Sequence, residues 1–268
     1  MSTSSVCGSL SSLASMTQDA EVQNGRVVLV NKSCPDNLSS VLKEAFSEGC
    51  TGMRVINSSM KTTGGSYLYK KMRTAVVHVK ISEDGAVSFL KGMPEDFSDA
   101  QQSALAMAIS VILPEMESIG GHRTGGMTYR MALGIHDYCD VSEYIPSGSW
   151  HQDGWNDISA IIYFNHENIK SKLSFRKSGS EEILFSSETE KTIKVFNNQF
   201  LEHVVHDICP EDRSKPARRQ LLTFFCADPY YAPNERHGSL GSSVKEIVES
   251  GGQILIVDNR KKPEEEAI

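Results

Sequence analysis

The chain lacks the marks of several large protein classes. Its six cysteines, Cys7, Cys34, Cys50, Cys139, Cys209 and Cys226, are scattered and form no Cys-x-x-Cys pair. Neither a cysteine zinc site nor a disulfide framework is therefore signalled, and reduced thiols are expected. No apolar run approaches the length that crosses a bilayer. Residues 1–18 are serine-rich, with neither a basic start nor the apolar stretch of a secretory signal, so a cytoplasmic protein is expected. The Asn-x-Ser triplets at Asn31, Asn37 and Asn57 then read as chance occurrences. An excess of basic charge is missing as well: the formal net charge is -7 and the pI about 5.6. That argues against a broad phosphate-binding surface, and so against a nucleic-acid partner.

What is present is an ordinary globular composition, 39% hydrophobic and 23% charged over 268 residues, a length that a single β-domain commonly reaches. Residues 1–20 are expected to be a disordered arm, with one domain over 21–268. Arg26-Val27-Val28-Leu29-Val30 predicts a buried strand. Ser39 to Phe46 carries Val41, Leu42, Ala45 and Phe46 at helical spacing and predicts a short amphipathic helix. Thr74–Ile81 and Ala86–Leu90 around Glu83-Asp84-Gly85 predict a hairpin, in which His78 is read as a strand-face histidine. Ser98 and Gln101 match a capping box, and the apolar spacing that follows predicts a helix over 99–118. A glycine-rich loop over 120–126 precedes a strand from Thr128 to Ile135, and the texture then turns to short strands and turns. Mainly β structure with flanking helices, in a double-stranded β-helix (jelly roll, cupin-like) with its core about 127–230, is expected. Gln253-Ile254-Leu255-Ile256-Val257 reads as a late strand or as a segment docking on a second copy, which leaves a homodimer open, and 261–266 is a solvated charge run.

Within that texture stand Trp150-His151-Gln152-Asp153, Leu201-Glu202-His203-Val204-Val205 and Ala217-Arg218-Arg219-Gln220-Leu221-Leu222-Thr223. Successive side chains of a strand alternate faces, so His151 and Asp153 point one way and Gln152 the other. A histidine from a distant strand completes two imidazoles and a carboxylate, a set that leaves one face of the ion open and suits non-haem Fe(II). Either His203 or His206 can supply it, because alternation sends them to opposite faces, and His203 is favoured. A downstream arginine offers a rigid fork for the distal carboxylate of a keto acid chelating that ion. Arg218 and Arg219 compete for this role, with Thr223 able to add a hydroxyl.

Taken with their flanks, these segments resemble the 2-oxoglutarate-dependent oxygenases. The resemblance spans roughly 140–230 and rests on Ser142–Trp150, Asp157–Phe164, Lys172-Leu173-Ser174-Phe175 and Arg219–Pro229. Gly148-Ser149-Trp150-His151, Tyr163–Ile169 and Leu173-Ser174-Phe175-Arg176 are similar to a mainly fungal branch that includes aziridine-forming amino-acid oxygenases. That branch often has Glu where this chain has Asp153, and Arg where it has Val204. The resemblance implies Fe(II) held by His151, Asp153 and His203, with 2-oxoglutarate as co-substrate held by Arg219 and Thr223, and O2. It further implies oxidation of an unactivated C–H bond of a small, amino-acid-like metabolite by hydroxylation, desaturation or ring closure. Tyr163, Leu173, Phe175 and Arg176 are the expected substrate pocket, although alternation turns Arg176 away from Phe175. A peptide or protein hydroxylase and a non-catalytic metal-binding jelly roll are the rival readings.

Overall fold

The computed structural model describes residues 25–62, 65–82, 86–89, 97–120, 129–138, 148–153, 158–198, 200–206, 208–227 and 253–260. The N-terminal arm, most of the loop over 120–126, the side chain of His78 and the tail over 261–266 fall outside that description.

Among the described residues the architecture is mainly β with two helices, a jelly roll of two opposed sheets. Nine strands form the main sheet: β1 (Gly25–Ser33), β2 (Arg54–Thr62), β3 (Gly65–Ile81), β4 (Val87–Phe89), β5 (Tyr129–Tyr138), β6 (Ile158–Glu167), β10 (Thr192–Asn197), β13 (Arg218–Ala227) and β14 (Gln253–Asn259). They run in the order β14-β1-β10-β6-β13-β5-β3-β2, with β4 beside β3. The opposed sheet is β11 (Leu201–Val205), β8 (Lys172–Lys177) and β9 (Ile183–Glu188), and β7 (Ile169–Lys170) pairs with β12 (Cys209–Pro210).

Two apolar layers follow from strand alternation. On the outer side Ile158, Ala160, Ile162 and Phe164 of β6 and Leu222 and Phe224 of β13 pack under α1 (Asp36–Ala45) and α2 (Asp99–Gly120). Between the sheets Ile161, Tyr163, Phe196 and Leu221 meet Leu173, Phe175 and Leu201 of the opposed sheet. β6 is accordingly buried from Ile158 through Asn165, as expected of a strand covered on both faces.

Both predicted helices form. Ser98 and Gln101 make the reciprocal capping bonds, 2.8 and 3.2 Å long. α1 begins before Ser39, directly after Pro35, because its buried stripe is Leu38 and Leu42, followed by Phe46, which leaves Val41 exposed. Ser39 donates to the Phe164 carbonyl at 2.6 Å and so ties α1 to β6. The hairpin forms, with Val79 opposite Phe89. β14 pairs in parallel with β1 of its own chain. Strands from both sides of the 127–230 stretch thus belong to the main sheet.

Candidate metal centre

His151 is borne on an isolated bridge, not on a strand. Its N–H donates to the His203 carbonyl at 3.1 Å, and the N–H of His203 returns the bond at 2.9 Å. This antiparallel contact sets the two imidazole centroids 4.4 Å apart. Asp153 is aimed by hydrogen bonding: its N–H donates to Oδ1 of the buried Asn198 at 2.9 Å. Oδ1 of Asp153 lies 3.7 Å from Nε2 of each histidine. One donor atom from each residue thus falls within 4.8 Å of the others.

The protonation chemistry suits a cation. The Ser149 carbonyl can only accept, so the 2.8 Å contact with His151 Nδ1 makes that nitrogen the donor and leaves Nε2 its lone pair. Burial, with His151 beside it, holds His203 down to about 3, so its imidazole is neutral. Burial pushes the Asp153 carboxyl up, while the charge of His151 opposes the shift. Phe175, directly opposite His203 in register, and Phe196 wall its ring at 6.1 and 5.1 Å. His151 is 47% exposed on the other side. The set therefore has one dry flank and one open to solvent. His206 leaves the opposite face of its strand, and its Nε2 meets Ser174 Oγ at 2.6 Å.

Deeper in the same interior lies a second group. Arg218 leaves β13 on the outer side and grips Asp137 at 3.0 and 2.8 Å, where Arg73 binds the same carboxylate at 2.9 Å. Arg219 turns inward and is 2% exposed. Its guanidinium lies 5.0 Å from the Tyr163 ring centroid and 5.7 Å from that of Tyr138. Its Nε has no partner, and among the described residues no carboxylate pairs with it. A buried unpaired charge is costly, and an anionic ligand is what such a guanidinium fits. Facing Arg219 across the ladder, His166 turns the same way because β6 carries one extra residue against β13 between Tyr163 and Asn165. Asn165 therefore bonds Gln220 on the outer side, while His166 packs on Tyr163 at 5.6 Å.

Some expectations change here. Tyr163, expected in the substrate pocket, lines the Arg219 pocket, because residues 161 and 163 share the inner face with 219. Thr223 is on that face too, but its hydroxyl is 3.1 Å from His136 Nε2 and donates to the Gly134 carbonyl. Arg176 does not face the triad: it pairs with Glu202 at 2.7 Å and Glu181 at 3.2 Å and lies over Trp150, since β8 turns it away from Phe175. Leu173 and Phe175 are fully buried on the inner face. Sequence reasoning missed Asn198, His166 and Lys194. A lysine between Ile193 and Val195, two positions before Phe196, was a usable signal for an inward-facing cation.

No known family's sequence profile matches the chain, and no curated protein matches it by sequence. Solved structures do. A bsmA homolog from Methylobium petroleophilum PM1 superposes with a TM-score of 0.54 at 14% identity, over 80% of this chain and 92% of that one. IDO from Bacillus thuringiensis gives 0.52 at 12% identity, over 84% and 99%. The Fe(II)/(alpha)ketoglutarate-dependent dioxygenase TqaL gives 0.50 at 15% identity, over 74% and 76%. The shared property at these identities is the jelly-roll fold.

Proposed function

We propose that the protein is an Fe(II)- and 2-oxoglutarate-dependent oxygenase acting on a small, amino-acid-like molecule. The observation that carries the class is the combination of two sites in one interior: the His151, Asp153 and His203 donors, and behind them the buried Arg219 with no carboxylate of its own. The fold shared with an Fe(II)/(alpha)ketoglutarate-dependent dioxygenase supports it.

In this reading His151, Asp153 and His203 would hold the ion through two imidazoles and one carboxylate. Bound iron would supply oxygen activation and the oxidation of an unactivated C–H bond. The chain's own residues do the rest. Ser149 fixes the His151 tautomer, and Asn198 aims Asp153. Arg219 and the Tyr163 hydroxyl receive the distal carboxylate, while Phe175 and Phe196 exclude water beside His203. The small-substrate reading rests on the sequence resemblance and on this closed aromatic flank; hydroxylation, desaturation or ring closure would be decided by how Leu173 and Phe175 place the reacting carbon.

The test measures succinate formed from 2-oxoglutarate by iron-loaded protein, with and without branched amino acids. Wild type should bind about one Fe(II) and turn over an amino acid. Arg219→Leu should weaken 2-oxoglutarate by about 2 to 5 kcal/mol, roughly 30- to 4000-fold, and Arg218→Leu should not. An unchanged co-substrate requirement in Arg219→Leu would remove 2-oxoglutarate from the scheme. Turnover of peptides but of no amino acid would move the substrate to the peptide hydroxylase class.

A further inference from the structure

Among the described residues Lys194 is a fully buried charge that this reading leaves unused. It lies on the inner face of β10, in register between Asn31 of β1 and Ile161 of β6, and is fully buried. Its ammonium donates to the Glu188 carbonyl at 3.1 Å and to Thr192 Oγ1 at 2.7 Å. Among the described residues it has no carboxylate partner within salt-bridge distance. It stands 5.5 Å from the centroid of the Tyr163 ring, the ring on which Arg219 lies at 5.0 Å. Nδ1 of His166, packed on that same phenol, is buried without a partner. Two buried cations thus lie within 5.5 Å of one ring centroid, with unsatisfied polar atoms on Arg219 and His166 between the sheets.

We propose that Lys194 is the second cation of the co-substrate pocket, holding the distal carboxylate of 2-oxoglutarate together with Arg219. The assignment rests on the co-substrate reading above and deepens it. Depth separates it from a substrate anchor: Lys194 is fully buried, whereas the open side of the metal set is at the exposed His151.

Electrostatics supports the pairing. Burial brings the Lys194 ammonium down to about 7, helped by Arg260 and Arg219 and opposed by Asp258 and Glu188. The groups facing it are Asn31 from β1, Asp258 and Arg260 at the end of β14, Glu188 from β9, Tyr163 and His166 from β6, and Arg219 from β13. Only Asp258 and Glu188 carry negative charge, and both stand on strands at the margin. A carboxylate brought between two cations favours the charged ammonium, so binding above neutral pH draws a proton onto Lys194. Below neutral pH the lysine is already charged and the uptake vanishes.

Calorimetric titration of the full chain tests this, with Mn(II) as a redox-silent ion. The ligands are 2-oxoglutarate and 2-oxopentanoate, which has a methyl in place of the distal carboxylate, in buffers of different ionisation enthalpy near pH 8. Wild type should prefer 2-oxoglutarate by about tenfold or more and take up a proton on binding it. Lys194→Met should lose about tenfold or more of the 2-oxoglutarate affinity, keep that for 2-oxopentanoate and take up no proton. Lys194→Arg should keep the preference and also take up none. A Lys194→Met protein that matches wild type with both ligands, or weakens equally for both, overturns the assignment. If Arg219→Leu weakens 2-oxoglutarate and Lys194→Met does not, Lys194 alone falls. If wild type does not bind 2-oxoglutarate, the co-substrate reading falls with it.

Discussion

His203 and His206 stand three positions apart, and which of them can hold an ion depends on the side from which each leaves its strand. His203 faces Phe175, Phe196 and His151; His206 faces Ser174. After dialysis, Asp153→Ala and His203→Ala proteins should retain no stoichiometric metal by mass spectrometry, while His206→Ala retains it. Retention by His203→Ala with loss by His206→Ala would reverse the strand's facing. Buried histidines away from the triad set an acid limit. Burial, with Arg219 nearby, holds His136 at about 4 and His166 at about 3, against 6.5 for the free side chain. Their folded values are depressed, so the unfolded chain takes up protons that the folded one refuses. Stability from these groups is complete above about pH 6.5 and is lost as pH falls toward 4 and 3. At pH 5 the loss is about 2 kcal/mol per histidine. Urea unfolding at pH 7 and pH 5 should show a smaller drop for a His136→Gln/His166→Gln double variant, and an equal drop would place the acid sensitivity elsewhere.

Elements set these facings by register. On β5, a Cβ at Gly134 would stand 2.5 Å from Thr223 Oγ1 and 2.6 Å from His136 Nε2. Gly134→Ala must separate that pair, at about 1 to 3 kcal/mol; a denaturant midpoint equal to wild type would show that β5 and β13 have slack there. The capping box of α2 was legible because all its partners lie within four residues. By contrast, the start of α1 was misplaced by three residues, since the buried stripe depends on what lies beneath the helix. The irregularity in β6 was invisible for a related reason. Nothing in Tyr163-Phe164-Asn165-His166 announces an extra residue, which is defined only against β13. It nevertheless decides that Tyr163 and His166 share the inner face.

Over the whole molecule the main sheet joins segments far apart in the chain. β14 lies parallel to β1, with Val27 opposite Leu255 and Leu29 opposite Ile256, and Ile254 and Ile256 pack against the layer between the sheets. Removing residues 252–268 strips β1 of that neighbour and bares a sheet edge. The truncated protein should unfold roughly 5 °C or more below full length and self-associate by light scattering; a monomer of unchanged melting temperature would make β14 dispensable.

The sequence by itself determined the donor types, their order and the β-rich texture, because imidazole, carboxylate and guanidinium chemistry and strand periodicity are local properties of residues. It also reduced the third donor and the arginine to two candidates each. Tertiary structure gives the members of each pair different surroundings. Arg218 and Arg219 are adjacent, and only the sheet's two sides tell a guanidinium tied to Asp137 from one left without a carboxylate. Lys194, His166 and Asn198 carry no motif. They become a pocket wall and a brace for Asp153 only when β6, β10 and β13 lie side by side, because burial and charge proximity are properties of pairs distant in sequence.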